Sequence, residues 1–140
     1  MSLSINKIFQ LWGKGTIVSV RRRKSRRRSS YLKHKVAARA LVCQKIAQFN
    51  AVYNFKVGRV AIRNQRSRWG SCSKLGNLNF NYKIVFLPEP LVDYLVVHEL
   101  CHLGEFNHSP RFWALVSRTI PDYRARRQAL KRNQIDNISL

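Results

Sequence analysis

Acidic residues are scarce in this sequence: six in 140 residues, against 27 lysines and arginines. None precedes Glu89, so residues 1–88 carry 20 basic side chains and no carboxylate, a net of +20. Residues 89–140 carry seven basic and six acidic side chains, a net of +1. A field this uneven attracts phosphate backbones and acidic surfaces to the N-terminal part and leaves charge-balanced chemistry to the C-terminal part. Cysteine is equally sparse. Cys43, Cys72 and Cys101 form no CxxC pair, which argues against both a disulfide framework and a cysteine zinc site, and a reducing, cytoplasmic setting is expected. Long apolar runs are missing too. Ile5 to Val20 is interrupted by Lys7, Gly13, Lys14 and Gly15, so neither a membrane span nor a signal peptide is expected.

What remains fits one domain with a real core. Residues 1–30 read as a basic arm, since seven of the ten residues from Arg21 to Ser30 are cationic and repel one another. A flexible or extended arm is expected there rather than a helix. From Leu32 to Asn54, Val36, Ala37, Ala40, Leu41, Cys43 and Ala47, with Ile46, Phe49, Val52 and Tyr53 continuing the pattern, recur at helical spacing without Gly or Pro and predict one long amphipathic helix. Val57 to Arg63 and Arg66 to Ser73 read as strands, and Gly76 centres a hairpin turn. Leu78 to Leu87 alternates cleanly and predicts a longer strand, stopped by Pro88 and Pro90. Three helices follow, from Leu91 to Glu105, from Pro110 to Thr119 behind a Ser109 cap, and from Pro121 to Leu130. The order predicts an α+β domain over 31–132, with helices on a small antiparallel sheet and a polar tail over 133–140.

The densest chemistry lies in HELCHLGEFNH, His98 to His108, which holds three of the four histidines. On a helix His98 and His102 stand roughly 40° apart around the axis, one turn above the other, as two ligands of a single zinc ion must. Glu99 then lies where a carboxylate reaches an attacking water as general base without being a ligand. Flanking Leu95, Val96, Val97, Leu100 and Leu103 predict a buried helix, on which unpartnered histidines would be costly. A catalytic zinc takes a third protein ligand. His108 is the leading candidate, with Gly104 available for a left-handed turn that lets the chain fold back. Asp122, at the start of a later helix, and Glu105 are the alternatives. Metzincin proteases share the histidine spacing, but their glycine falls where this chain has Glu105, and the only methionine here is Met1.

Four segments in order, RSRWGSCS (Arg66–Ser73), GNLNFNYKIVFLP (Gly76–Pro88), DYLVVHELCHL (Asp93–Leu103) and NHSPRFW (Asn107–Trp113), resemble the YgjP-like zinc metallopeptidases, a group akin to the WLM and SprT-like proteases. The resemblance implies a zincin-like fold whose active-site helix carries HExxH. It also implies one Zn2+ held by His98, His102 and His108, Glu99 as catalytic base, and hydrolysis of peptide bonds in peptide or protein substrates.

Some roles stay open at this level. Arg68, Tyr82 and Arg111 are candidates for stabilising the oxyanion, and Asn79 and Asn81 for binding substrate backbone along the strand ahead of the active helix. Trp69 reads as a core aromatic beside a bend at Gly70. Phe112 and Trp113 are expected to wall the metal pocket. The alternative function is nucleic-acid binding through Arg21, Arg22, Arg23, Lys24, Arg26, Arg27 and Arg28, either with a structural zinc or as recruitment of a protease.

Overall fold

The computed structural model describes residues 16–133, with side chains from residue 26 onward. The elements are helix α1 (Thr16–Tyr53), strands β1 (Val60–Arg63), β2 (Gly70–Cys72) and β3 (Leu78–Asn81), a 3₁₀ turn (Tyr82–Phe86), and helices α2 (Glu89–Cys101), α3 (Pro110–Ser117) and α4 (Tyr123–Arg132). Residues 1–30 separate as one unit, and the residues from Tyr31 on form another. The site lies in the second. An α+β class and the order helix, strands, helices match the sequence reading.

Three features differ from it. The run from Arg21 to Ser30 is helical, part of α1, not an extended or flexible arm. Arginine and lysine are good helix formers and no Gly or Pro interrupts the segment, so propensity prevails over charge repulsion. The side chains of Arg21, Arg22, Arg23 and Lys24 lie outside the described residues, while Arg26 and Arg28 are exposed.

Second, α1 buries Ala38, Val42, Ile46, Phe49 and Tyr53, a stripe at steps of four, four, three and four. Of the apolar residues the sequence reading named, Ile46, Phe49 and Tyr53 belong to this stripe and Leu41 is half-buried, while Val36, Ala37, Ala40, Cys43, Ala47 and Val52 are exposed. The helix has apolar residues on more than one face, and the neighbours it meets decide which face is covered. Its fixings are polar as well as apolar. Lys45 Nζ lies 2.5 Å from Glu89 Oε1 and 2.7 Å from Asp93 Oδ1 on α2. Tyr53 donates from its hydroxyl to the Leu115 carbonyl at 2.8 Å. Asn54 closes the helix at φ 55°, a left-handed position that asparagine tolerates.

Third, the sheet is mixed and β3 is short. Its order is β1-β3-β2, with β1 parallel and β2 antiparallel to β3, so the expected all-antiparallel sheet is not formed. Leu78 and Phe80, both fully buried, suit β3 to the centre. After Asn81 the chain turns into the 3₁₀ segment, whose Tyr82, Lys83 and Ile84 are all buried, which strict alternation does not allow. The predicted hairpin between β2 and β3 is present, with Gly76 at φ 78°.

Candidate active site

Helix α2 is apolar on nearly every side and sinks into the core. Leu95, Val96, Val97, Leu100 and Cys101 are each at most 3% exposed. That burial fixes its axis and hence the two polar residues of its last turn, His98 and Glu99. The helix ends at Cys101, one turn earlier than the sequence suggests, and His102 is its C-cap in right-handed geometry. Gly104 does not adopt a left-handed conformation. Its smallness serves packing instead, since a Cβ there would stand 2.9 Å from Phe55 Cζ.

The loop beyond Gly104 returns the chain so that His108 faces α2. Ser109 caps α3 by accepting from Phe112 N at 3.3 Å, a bond contributing about 1 kcal/mol. Thus anchored, α3 places Phe112 against all three histidines, with ring centroids 4.9 Å from His98, 4.5 Å from His102 and 4.9 Å from His108. Trp113 stacks on His108 at 5.6 Å. Both aromatics wall the site as the sequence suggests.

One potential ligand nitrogen from each of His98, His102 and His108 lies within 4.8 Å of the others, a group able to hold a metal ion. His98 Nε2 and His108 Nε2 are 3.1 Å apart. Two nitrogens on one tetrahedral zinc lie about 3.3 Å apart, so the spacing fits. The opposite ring nitrogens are held elsewhere. His102 Nδ1 meets the Glu105 carbonyl at 3.1 Å, and His98 Nδ1 meets the Tyr94 hydroxyl at 3.4 Å. Such partners orient an imidazole and leave Nε2 for a metal. Burial, followed by the neighbouring His102 and His108, brings the His98 imidazole down to about 3, and burial lowers His102 and His108 as well. All three are therefore neutral near pH 7, the form that ligates.

Glu99 is 5% exposed, and burial alone pushes its carboxyl up to about 8. No hydrogen bond or ion pair reaches it among the described residues. A buried carboxylate without a donor calls for a cation close by. A Cβ on Gly70 would stand 2.6 Å from Glu99 Oε1, so β2 passes against the carboxylate at a point where only glycine fits. The sequence reading placed a bend at Gly70 and missed this contact.

The other candidates sort as follows. Asp122 is exposed and pairs with Arg126 at 2.9 Å, and Glu105 contributes only its backbone carbonyl, so neither joins the histidines. Asn81 is fully buried, with Nδ2 donating to the carbonyls of Gln65 at 2.8 Å and Arg68 at 3.1 Å and Oδ1 accepting from Lys83 N at 3.1 Å. It holds the loop before β2 and has nothing left for substrate. Asn79 is held by Arg63 at 3.4 Å and Ser71 at 3.3 Å, and both lie on the central strand, which has no free edge. Tyr82 is a buried core residue packed edge-on against Tyr31, not an oxyanion donor. Arg68 does line a cleft of about 280 Å³ with His98 and Glu99. The same cleft receives Arg127 and Lys131 from α4, which the sequence did not single out. Cys72 and Cys101 are both pushed up to about 11 by burial, which keeps them unreactive thiols.

A family model described as "YgjP-like, metallopeptidase domain" matches residues 8–133. Among solved structures, the metallopeptidase zymogen abylysin of Pyrococcus abyssi shares 21% identity at a TM-score of 0.61, with 66% of this chain and 93% of that one covered. The metallopeptidase zymogen jannalysin of Methanocaldococcus jannaschii shares 20% at 0.55, covering 70% of this chain and 97% of that one. At these identities the two structures establish the likeness of fold alone. No curated protein matches the chain in sequence. Nothing in these matches supports a nucleic-acid partner. Among the described residues no helix is long and apolar enough to cross a membrane.

Proposed function

The chain belongs to the YgjP-like metallopeptidase family and is a metal-dependent peptidase, and from that premise we propose that it works with one zinc ion held by His98, His102 and His108 and with Glu99 as general base. The observation that carries this reading is the convergence of three imidazole nitrogens at the end of a buried helix, one residue from an unpartnered buried carboxylate. Three neutral imidazoles would hold zinc and leave a coordination position for water, the ligand count of a catalytic rather than a structural site. Zinc supplies Lewis acidity toward water and toward the scissile carbonyl.

The chain's own groups do the rest. Glu99, one residue from His98 and set in an apolar wall, takes a proton from the attacking water on a carboxylate oxygen and returns it to the leaving amine. Its burial makes it a stronger base than an exposed glutamate, because the ionised form is poorly solvated. Trp69, Tyr94 and Leu95 line the cleft beside Glu99 and give it largely apolar surroundings. Substrate backbone aligns on β2, the edge strand beside Glu99, rather than on β3.

The test is cleavage of an unfolded protein or peptide library by the zinc-loaded full chain. Wild type is expected to cleave and Glu99→Ala to retain zinc without cleaving. Zinc-independent cleavage, or full activity of Glu99→Ala, would overturn the proposal.

A further inference from the structure

The cleft beside His98 and Glu99 has two kinds of wall. Trp69 on one side and Leu95 and Leu130 on the other form an apolar body, while Arg68, Arg127 and Lys131 stand around its rim, all exposed. Among the described residues none of these three cations is paired with a carboxylate; Arg126, one residue away, is paired with Asp122. Arg127 is also not free to swing away. Its guanidinium lies 4.9 Å over the Trp113 ring, and Trp113 stacks in turn on Tyr123 at 4.9 Å and on His108 at 5.6 Å. A second cleft of about 410 Å³ shares Arg127 and Lys131 and adds Arg124, so the positive rim continues along α4. Few cations of this chain can find a carboxylate, since six acidic residues face 27 basic ones. What sets these three apart is their place: two arginines and a lysine from two distant segments line the cleft that contains Glu99.

Resting on the peptidase reading, we infer that this cleft selects peptides that place a carboxylate next to the scissile bond, on a side chain with an apolar stem or at a free C-terminus. The apolar walls take the stem, and the rim takes the charge. Glutamate fits both parts and lysine fits only the first. A carboxylate at the rim stays with the cations on α4 and at Arg68, apart from buried Glu99. Exposed pairs add little singly, but three unpaired cations around one partly enclosed opening add up to a preference on the order of tenfold.

The experiment scans a single Glu, Gln or Lys through the positions flanking the cleaved bond in one fluorogenic peptide, each with a free or an amidated C-terminus, using the zinc-loaded full chain. At one position kcat/KM is expected to rank Glu over Gln over Lys, with Glu about tenfold above Gln. A Glu-over-Gln gain present in both the amidated and the free series assigns the carboxylate to a side chain, and faster cleavage of the free than of the amidated series, whatever the scanned residue, assigns it to the C-terminus. The Glu-to-Gln ratio should fall toward one in Arg127→Met and in Lys131→Met and survive in Arg127→Lys, a pattern that mere loss of fold does not produce. Equal cleavage of the Glu, Gln and Lys peptides, with the free and amidated series also equal to each other, overturns this inference and leaves the peptidase reading standing. Cleavage of no peptide overturns the peptidase reading; the same ranking in peptide binding, read by fluorescence anisotropy on Glu99→Ala, then decides the cleft's preference by itself, and equal binding rejects it.

Discussion

Glu99 Oε1 occupies the space a side chain on Gly70 would need, with the would-be Cβ 2.6 Å away and the Glu99 Cγ and Cδ at 2.8 and 2.9 Å. Strand β2 and helix α2 thus meet through a residue with no side chain and the carboxylate proposed as base. In Gly70→Ala the carboxylate must yield, since it is the movable partner. We expect zinc content to be kept, stability to fall by about 1–3 kcal/mol, and kcat to drop on the order of a hundredfold. Metal analysis and kinetics on the same sample check this. Wild-type kcat would show that the carboxylate's position is not critical.

The metal-free protein should have an unusual pH profile. Glu99 titrates at about 8 when folded against a model value of 4.5, so between those values the folded state holds a proton that the unfolded chain has released, and stability falls as pH rises. His98 titrates at about 3 against 6.5, so between those values the unfolded chain holds the extra proton, and stability rises with pH. The two oppose each other where the windows overlap. His102 and His108, lowered by burial as well, add to that rise, so the melting temperature of the chelator-treated full chain is expected to climb up to about pH 6.5 and to decline from there toward 8. Glu99→Gln should abolish the decline. A melting temperature that keeps rising to pH 8 would contradict the burial of an unpartnered carboxyl.

Lys45 ties α1 to the first turns of α2 through Glu89 and Asp93, and these two partners hold its ammonium above its ordinary value. Asp93 is the better buried of the two, its side chain 18% exposed against 75% for Glu89. Asp93→Ala should lower the melting temperature by roughly 5 °C or more, since it leaves a buried ammonium with one exposed partner. Glu89→Ala should cost less. Thermal melts of both variants check the order, and the reverse order would show that the exposed pair carries the contact.

Local signals in the sequence reached a good part of this arrangement. The hairpin at Gly76, the Ser109 cap, the order of elements and the grouping of His98, His102 and His108 each follow from spacing within a dozen residues. What spacing does not carry was missed or misplaced. The alternation of Leu78 to Leu87 suggested one long strand, but after Asn81 the chain forms a 3₁₀ turn whose Tyr82 packs edge-on against Tyr31 of α1 and in which Lys83 is buried too. Asn79 and Asn81 looked like a polar edge because pairing partners are invisible from one strand, and β3 proved central. Gly70, Arg127 and Lys131 become part of the site only when β2 and α4 both pack against α2 and line one cleft. Their pattern in the chain gives no sign of it.

The central claim is the ligand set, and zinc content of the purified full chain tests it most directly, measured by mass spectrometry beside His108→Ala, Glu105→Ala and Asp122→Ala. The account predicts about one zinc per chain in wild type and in the two carboxylate variants, and under about a tenth of that in His108→Ala, because two imidazoles alone hold the ion far more weakly. Full zinc in His108→Ala, or its loss in Asp122→Ala or Glu105→Ala, would contradict it.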